Sequence, residues 1–241
     1  VTGSGPAAWG GGWRVALLLA MAVLTGLVDA TSFLSLGHVF VANMTGNVVF
    51  LAFALGGAPG LSADLSALAL VCFLAGTGLA GRIGTAAALA GRRWLVVALA
   101  AQVTLIAGAL AAAAVTGGGD DRPYAVVAPL AVAMGLQHAT GRRVAVPEVP
   151  TNVLTTTLTG LVVDSRLAGG PGYGDPRRFA APVAMFSGAL VGATCLLHVN
   201  RLVPLAAATA LAAGCLIGAV TGLCAGGTQA PPQQERRLDG R

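Results

Sequence analysis

The chain has no lysine. All 14 of its basic residues are arginine, and they are set against only nine acids in 241 residues. Charged residues make up 10% of the sequence, whereas a soluble domain devotes roughly a quarter of its residues to charge. With 56% hydrophobic residues and a mean hydropathy of +0.80, an ordinary water-soluble fold is excluded. The absence of lysine beside abundant Ala and Gly fits a GC-rich bacterial genome. Cysteine is sparse too: Cys72, Cys195, Cys215 and Cys224 all fall in apolar runs without CxxC or Cys/His spacing, which gives no sign of zinc or disulfides. No Walker loop, HExxH or GxSxG elbow is present, so an enzyme is the weaker class and no cofactor or metal is expected.

What is present is a succession of apolar runs. Each approaches the ~20 residues that a bilayer-spanning helix needs. The expected fold is an all-α integral membrane protein with full helices at about 13–36, 65–90, 94–116, 124–141, 178–199 and 202–224. Residues 1–12 read as a flexible leader, 13–225 as one transmembrane domain and 226–241 as a disordered cytoplasmic tail. The first run continues past Asp29 to Leu36, too long and too charged for a cleaved signal peptide.

Two segments, 39–56 and 150–164, fit no full span. The second carries five threonines and an asparagine in fifteen residues and needs shielding by protein or water. Both are expected to be re-entrant or broken. The arginines support this, because cytoplasmic loops collect positive charge. If both segments return to the side they came from, only Arg122 and Arg201 lie outside, and both termini are cytoplasmic. A topology in which the first segment spans and the N-terminus is outside misplaces only Arg14 in addition. The pI of 9.7 therefore reflects membrane orientation, and no nucleic-acid partner is expected.

An internal repeat is legible. AVLTGLVDAT (22–31) matches AVAMGLQHAT (131–140) at six of ten positions, and NMTGNVV from Asn43 matches TLTGLVV from Thr157 at Thr, Gly, Val and Val. Halves at about 13–116 and 124–224 would then be related by inversion, an arrangement of secondary transporters with sites at the repeat interface.

The polar residues inside the apolar runs are the candidates for a solute pathway. Asp29 is the only acid well inside a full span, with Thr25 and Ser32 on its helix face. Gln137 and His138 occupy the second copy, where His138 stands at the position of Asp29. A proton relay between Asp29 and His138 is one reading, and a structural ion pair of Asp29 with His138 or Arg142 is the other. In the broken segments Asn43, Thr45, Asn47, Asn152, Thr155 and Thr159 supply donors and acceptors, while Gly46 and Gly160 permit a break or a close approach of backbone. The bland alternative for each is helix-to-helix hydrogen bonding at ~0.6 kcal/mol. His38 and His198 fall at expected helix ends. The GxGxxG of Gly76, Gly78 and Gly81 lacks a βαβ context, and together with Gly188-xxx-Gly192 and Gly214-xxx-Gly218-xxx-Gly222 it reads as small residues at helix contacts.

GLVDATSF, VFVANMTGN, AMGLQHA followed by Arg142-Arg143, and TNVLTTTLTG resemble the YoaK family of bacterial multi-pass membrane proteins, a domain-of-unknown-function family, over about residues 13–225. The resemblance implies an integral protein of the bacterial inner membrane and brings no substrate, cofactor or catalytic residue. The family more often carries Asn at the position of His138 and Thr-Gly at that of Thr155-Thr156. The function expected from the residues is a small-solute or ion transporter, with proton coupling through Asp29 as one option and membrane lipids as its surroundings. The alternative is a non-transporting membrane component that assembles through its glycine-rich faces, as a homo-oligomer or with other chains.

Overall fold

In the computed structural model, the described residues are 11–86, 93–116, 123–144, 154–170 and 179–226. Among them the regular structure is entirely helical: α1 Gly11–Ser35, α2 Met44–Leu55, α3 Ala63–Thr85, α4 Arg93–Val115, α5 Pro123–Val144, α6 Leu154–Val163, α7 Ala180–His198 and α8 Val203–Gly226, with a 3₁₀ turn at Arg166–Ala168. The six long helices expected from sequence are present with ends shifted by a few residues. The expected tail from residue 227 and the leader up to residue 10 lie outside the described residues, while residues 11 and 12 of the expected leader open α1 and Gly226 closes α8.

Five of these helices, α1, α3, α4, α7 and α8, are long and apolar enough to cross a membrane. Large side chains stand exposed along them, including Val71 and Leu74 on α3, Val183 and Phe186 on α7, and Ile217 on α8. Such apolar outer surface is what a lipid-facing helix needs, and the chain is a multi-pass membrane protein. α5 is as long but more polar, carrying Gln137, His138, Thr140, Arg142 and Arg143. It can carry them because its neighbours enclose it: Val127, Leu130, Ala131, Ala133, Met134 and Leu136 are fully buried.

α1 and α5 form the centre of the bundle, with α7 and α8 packed on α1 and with α3 and α4 packed on α5. Their relative direction follows from which residues meet. Arg14 at the start of α1 bonds the carbonyl of Val144 at the end of α5, and Met21 and Thr25 meet Gln137, so α1 and α5 are antiparallel. On α7, Gly188 lies against Val23 and Gly192 against Leu27 and Ala30, so α7 runs parallel to α1. On α3, Gly76 lies against Val132 and Gly84 against Arg143, so α3 runs parallel to α5 and antiparallel to α1.

These two parallel crossings use matching positions. A Cβ at Gly26 would overlap the Met185 carbonyl oxygen, and one at Gly135 the Phe73 carbonyl oxygen. One at Gly188 would overlap Val23, and one at Gly76 would overlap Val132. One offset relates Val23 and Gly26 to Val132 and Gly135, and a second relates Phe73 and Gly76 to Met185 and Gly188. Of the GxGxxG stretch, Gly76 is thus a close helix contact, whereas a Cβ at Gly78 or Gly81 would meet open space. The glycine ladder of α8 differs from expectation at Gly214, which faces open space, while Gly218 approaches Trp13.

Candidate functional site

After α1 the chain turns back on itself. Gly37 (φ 93°) and His38 (φ 56°) are both left-handed, a conformation natural to glycine and costing a histidine on the order of 1 kcal/mol. Residues 39–43 then run without regular structure beside α1 until α2 begins at Met44. The depth of this return is fixed by Asp29, whose Oδ1 accepts from the amides of Val41 (3.0 Å) and Ala42 (2.8 Å). Asp29 lies six residues before the end of α1, which at 1.5 Å per residue is about 9 Å below that end. α2 therefore starts well below the end of α1, and its 12 residues give it about 18 Å of length, too little for a ~30 Å hydrocarbon core.

The polar residues of VFVANMTGN hold this turn together. Asn47 is fully buried and bonded twice to Phe40: its Oδ1 accepts the Phe40 amide at 2.9 Å and its Nδ2 donates to the Phe40 carbonyl at 2.6 Å. Asn43 is exposed and caps α2, accepting from the Gly46 amide at 3.5 Å. Gly46 is required by packing, since a Cβ there would sit 2.8 Å from the Phe40 ring. Phe40 stacks on Phe33 (centroids 5.0 Å apart) and on Phe50 (5.7 Å), and the aromatic cluster binds the returning strand to both helices. Thr45 is exposed.

Asp29 is thus bonded to backbone amides, and its carboxylate makes no hydrogen bond to His138 or Arg142 among the described residues. The Asp29–His138 relay and the Asp29 ion pair expected from sequence are corrected on this point. A carboxylate buried in apolar surroundings needs donors, and the nearest supply is the run of unpaired amides ahead of α2. Its Oδ2 stays buried without a hydrogen-bond partner. His138 sits instead against the edge of the Phe73 ring, with Nδ1 2.9 Å from the Met134 carbonyl. Ser32 is buried and turned to the Asp29 carbonyl.

Gln137 belongs to a second buried group. Its Nε2 donates to Thr25 Oγ1 (2.9 Å) and to the Met21 carbonyl (3.1 Å), and its Oε1 accepts from Gln102 Nε2 at 2.6 Å. Three helices, α1, α4 and α5, are tied here at the centre of the bundle. Sequence reading passed over Gln102, although a lone amide in the apolar run of α4 was a signal for it. The second broken segment is only partly visible: Asn152 lies outside the described residues, Thr155 belongs to α6, Thr159 is exposed, and a Cβ at Gly160 would meet open space. Gly160 therefore makes no close approach of the kind seen at Gly46.

A cavity of about 440 Å³ opens at the end of the bundle where α1 and α4 finish and α3, α5 and α8 begin. Thr31, Ser35, Ser62, Thr116, Tyr124 and Arg201 supply its polar lining. The opposite end is filled: Arg14 bonds Val144, Arg143 lies over the Trp94 ring at 4.9 Å, and Leu17, Leu18, Leu95 and Leu99 pack together.

The family model described as "Protein of unknown function (DUF1275)" matches residues 17–222. The chain is also 30% identical, over 154 residues, to the "UPF0700 transmembrane protein YoaK" of Bacillus subtilis (strain 168), an alignment covering 63% of this chain and 67% of that protein. No solved structure matches the chain.

Proposed function

The chain belongs to the YoaK-like DUF1275 family, and from that premise we propose that it is a small-solute or ion permease of the bacterial inner membrane, built as an inverted repeat. The observation that carries this reading is the non-helical return of residues 36–43 into the bundle, ending on the start of a half-length helix. Broken backbone at membrane depth survives only where protein or a hydrated path covers its amides, and transporters place their sites at such breaks.

The arrangement of helices supports the inversion. α1 and α5, which carry the two copies of the repeated sequence, are antiparallel and share the centre of the bundle. Each receives a parallel partner from the other half through matching glycines, α7 on α1 and α3 on α5. Because α3 runs opposite to α1, α2 makes no net crossing and is re-entrant. With α5 as the sixth span, both termini come to the cytoplasmic side under the distribution of arginine. The bundle is then open at the outer end, through the cavity, and closed at the inner end.

A second reading has a specific observation in its favour. Asp29, Asn43 and Asn47 spend their hydrogen bonds on the turn itself, which is what a membrane component without a transported solute would also need. Uptake into proteoliposomes of the purified chain, over a panel of small polar solutes and inorganic ions, separates the two. Accumulation above protein-free vesicles for at least one solute supports the permease, and a flat panel overturns it.

A further inference from the structure

The cavity at the open end has an asymmetry of hydrogen bonding that defines what can occupy it. Three of its hydroxyls are already committed as donors: Thr31 to the Leu27 carbonyl (2.8 Å), Ser35 to Thr31 (2.7 Å) and Thr116 to Ala112 (3.0 Å). Three other lining residues carry donors that are uncommitted. Ser62 Oγ accepts from the Leu65 amide at 3.2 Å and keeps its own proton to give. The Tyr124 hydroxyl and the Arg201 guanidinium have no hydrogen-bond or ion-pair partner among the described residues. These donors come from three different places in the chain: the residue before α3, the first turn of α5 and the α7–α8 connection.

Among the described residues no carboxylate lines the cavity, and Arg201 is the one full charge of that lining. Asp64, in the first turn of α3, is exposed and outside the lining. The remaining wall is apolar, with Leu36, Leu65, Val126 and Leu205. Free donors and a cation in a lining that is otherwise largely aliphatic suit a bidentate oxyanion on an apolar body, since guanidinium pairs with carboxylate geometry and apolar walls disfavour a fully hydrated inorganic ion. A volume of about 440 Å³ suits a small molecule rather than a peptide.

We propose that this cavity is a binding site for a small organic anion, a carboxylate or similar oxyanion on an apolar body, held by Arg201, Tyr124 and Ser62. The inference names the substrate class for the permease reading and rests on it only for what happens after binding. The same chemistry has two sources, a water-soluble carboxylate or the headgroup region of an anionic lipid. Asp120 and Asp121 lie in the α4–α5 connection, outside the described residues, and the test includes them.

The test uses the full chain in phosphatidylcholine nanodiscs. Benzoate and hexanoate are the probes, with benzylammonium and benzyl alcohol as cationic and neutral counterparts, and binding is read by calorimetry and thermal shift. Binding of at least one anion in preference to its counterparts is expected. Arg201→Gln should weaken it about tenfold or more, Arg201→Lys less, and Ala113→Phe, which fills the cavity without altering charge, should also weaken it. The double variant Asp120→Asn with Asp121→Asn should bind as well or better. Competition from added phosphatidylglycerol that depends on Arg201 assigns the lipid source, and its absence assigns the soluble one. The proposal is overturned if no anion binds preferentially, if Arg201→Gln binds like the parent, or if the Asp120/Asp121 variant loses binding. Anion binding without flux in proteoliposomes would leave the site standing and remove the permease reading.

Discussion

Asn47 and Phe40 bond each other twice, side chain to backbone, and so close the turn that brings the chain back into the bundle. Seven residues apart in sequence, they fix the returning strand against the first turn of α2 much as a pair of strand hydrogen bonds would. Asn47 is the one polar residue of its motif with no exposed surface, so neither bond can be replaced by water without opening the turn.

Asn47→Asp tests this pair with little change of shape. The carboxylate still accepts from the Phe40 amide but loses the donor and places negative charge beside the Phe40 carbonyl. Breaking one buried bond and leaving that carbonyl unpaired costs about 1–3 kcal/mol. The expected result is a clear fall in the unfolding midpoint in detergent for Asn47→Asp, while Asn43→Ala at the exposed cap loses about 1 kcal/mol or less. Equal midpoints for the two variants would refute the assignment of Asn47 as the closing residue.

Asp29 makes a sharper case, because transport coupling and turn closure predict different things. Asp29→Asn keeps an oxygen where Oδ1 stands and can hold the amides of Val41 and Ala42, whereas Asp29→Ala leaves both buried amides bare. Hydrogen bonds to a charged acceptor contribute about 1.5–3 kcal/mol each, those to a neutral acceptor about 1. Thermal unfolding should therefore rank parent, Asn and Ala in falling order, with the larger step to Ala. If carriage of a solute is proton-coupled through this carboxylate, flux driven by a pH gradient disappears in Asp29→Asn while exchange without a gradient persists. Unchanged gradient-driven flux assigns Asp29 to the turn alone.

Much of the architecture was legible because a membrane simplifies the code: apolar length gave the long helices. The short segment at 39–56 was legible as broken, yet its internal structure was not. Sequence reading placed Asn43, Asn47 and Asp29 together as lining, since residue type shows a capacity for hydrogen bonding and not where it is spent. Asp29 and His138 occupy equivalent positions in the repeat, which suggested a meeting. In an antiparallel pair such as α1 and α5, residues meet by opposed register, so Gln137 finds Thr25 while Asp29 looks to its own loop. Gln102 stood out as a lone amide in an apolar run and Arg201 as an outer arginine, but only the fold puts one against Gln137 and the other in the lining of a cavity.

The matching glycine crossings give a paired prediction. Gly26→Ala and Gly135→Ala each force a methyl group onto a backbone carbonyl of the neighbouring helix, and overpacking of this kind costs typically 1–3 kcal/mol. Gly214→Ala, with nothing within 4 Å, should be neutral or stabilise by up to about 1 kcal/mol through helix propensity. Midpoints measured together should show both crossings impaired and α8 unaffected. A large loss at Gly26 with none at Gly135 would contradict the equivalence of the two crossings.

The Gln102–Gln137 bond at 2.6 Å joins α4 to α5 away from either end of the bundle, which makes a double-mutant cycle informative. Gln102→Leu removes a donor and also a carbonyl oxygen that has no partner, so its cost is partly offset. Gln137→Leu strips partners from Gln102, Thr25 and Met21 at once and should be the worse single variant. Couplings of this type inside membrane proteins average about 0.6 kcal/mol and reach about 1.7. A coupling between those values is expected, and additivity would mean that the two amides are not bonded in the protein.

Side-specific labelling tests the inverted arrangement itself. In a background with Cys72, Cys195, Cys215 and Cys224 replaced, single cysteines at Ala63, where α3 begins, and at Gly119, in the sequence between α4 and α5, should react with a membrane-impermeant maleimide in intact cells. A cysteine at Thr85, where α3 ends, should react only after the cells are opened. The two topologies agree on these three positions and differ only at the N-terminus, because α2 is all that changes the count between α1 and α3. If α2 returns to the side it came from, Ala63 is outside and the N-terminus inside. If α2 crossed, α1 and α3 would run parallel and Gly26 and Gly135 could not both meet parallel partners while Arg14 reaches Val144. A tag at the N-terminus should accordingly be digested by protease only in inverted vesicles. Reaction of Ala63 in intact cells together with digestion of that tag from the outside would place both on one side, make α2 a second crossing and overturn its re-entrant assignment.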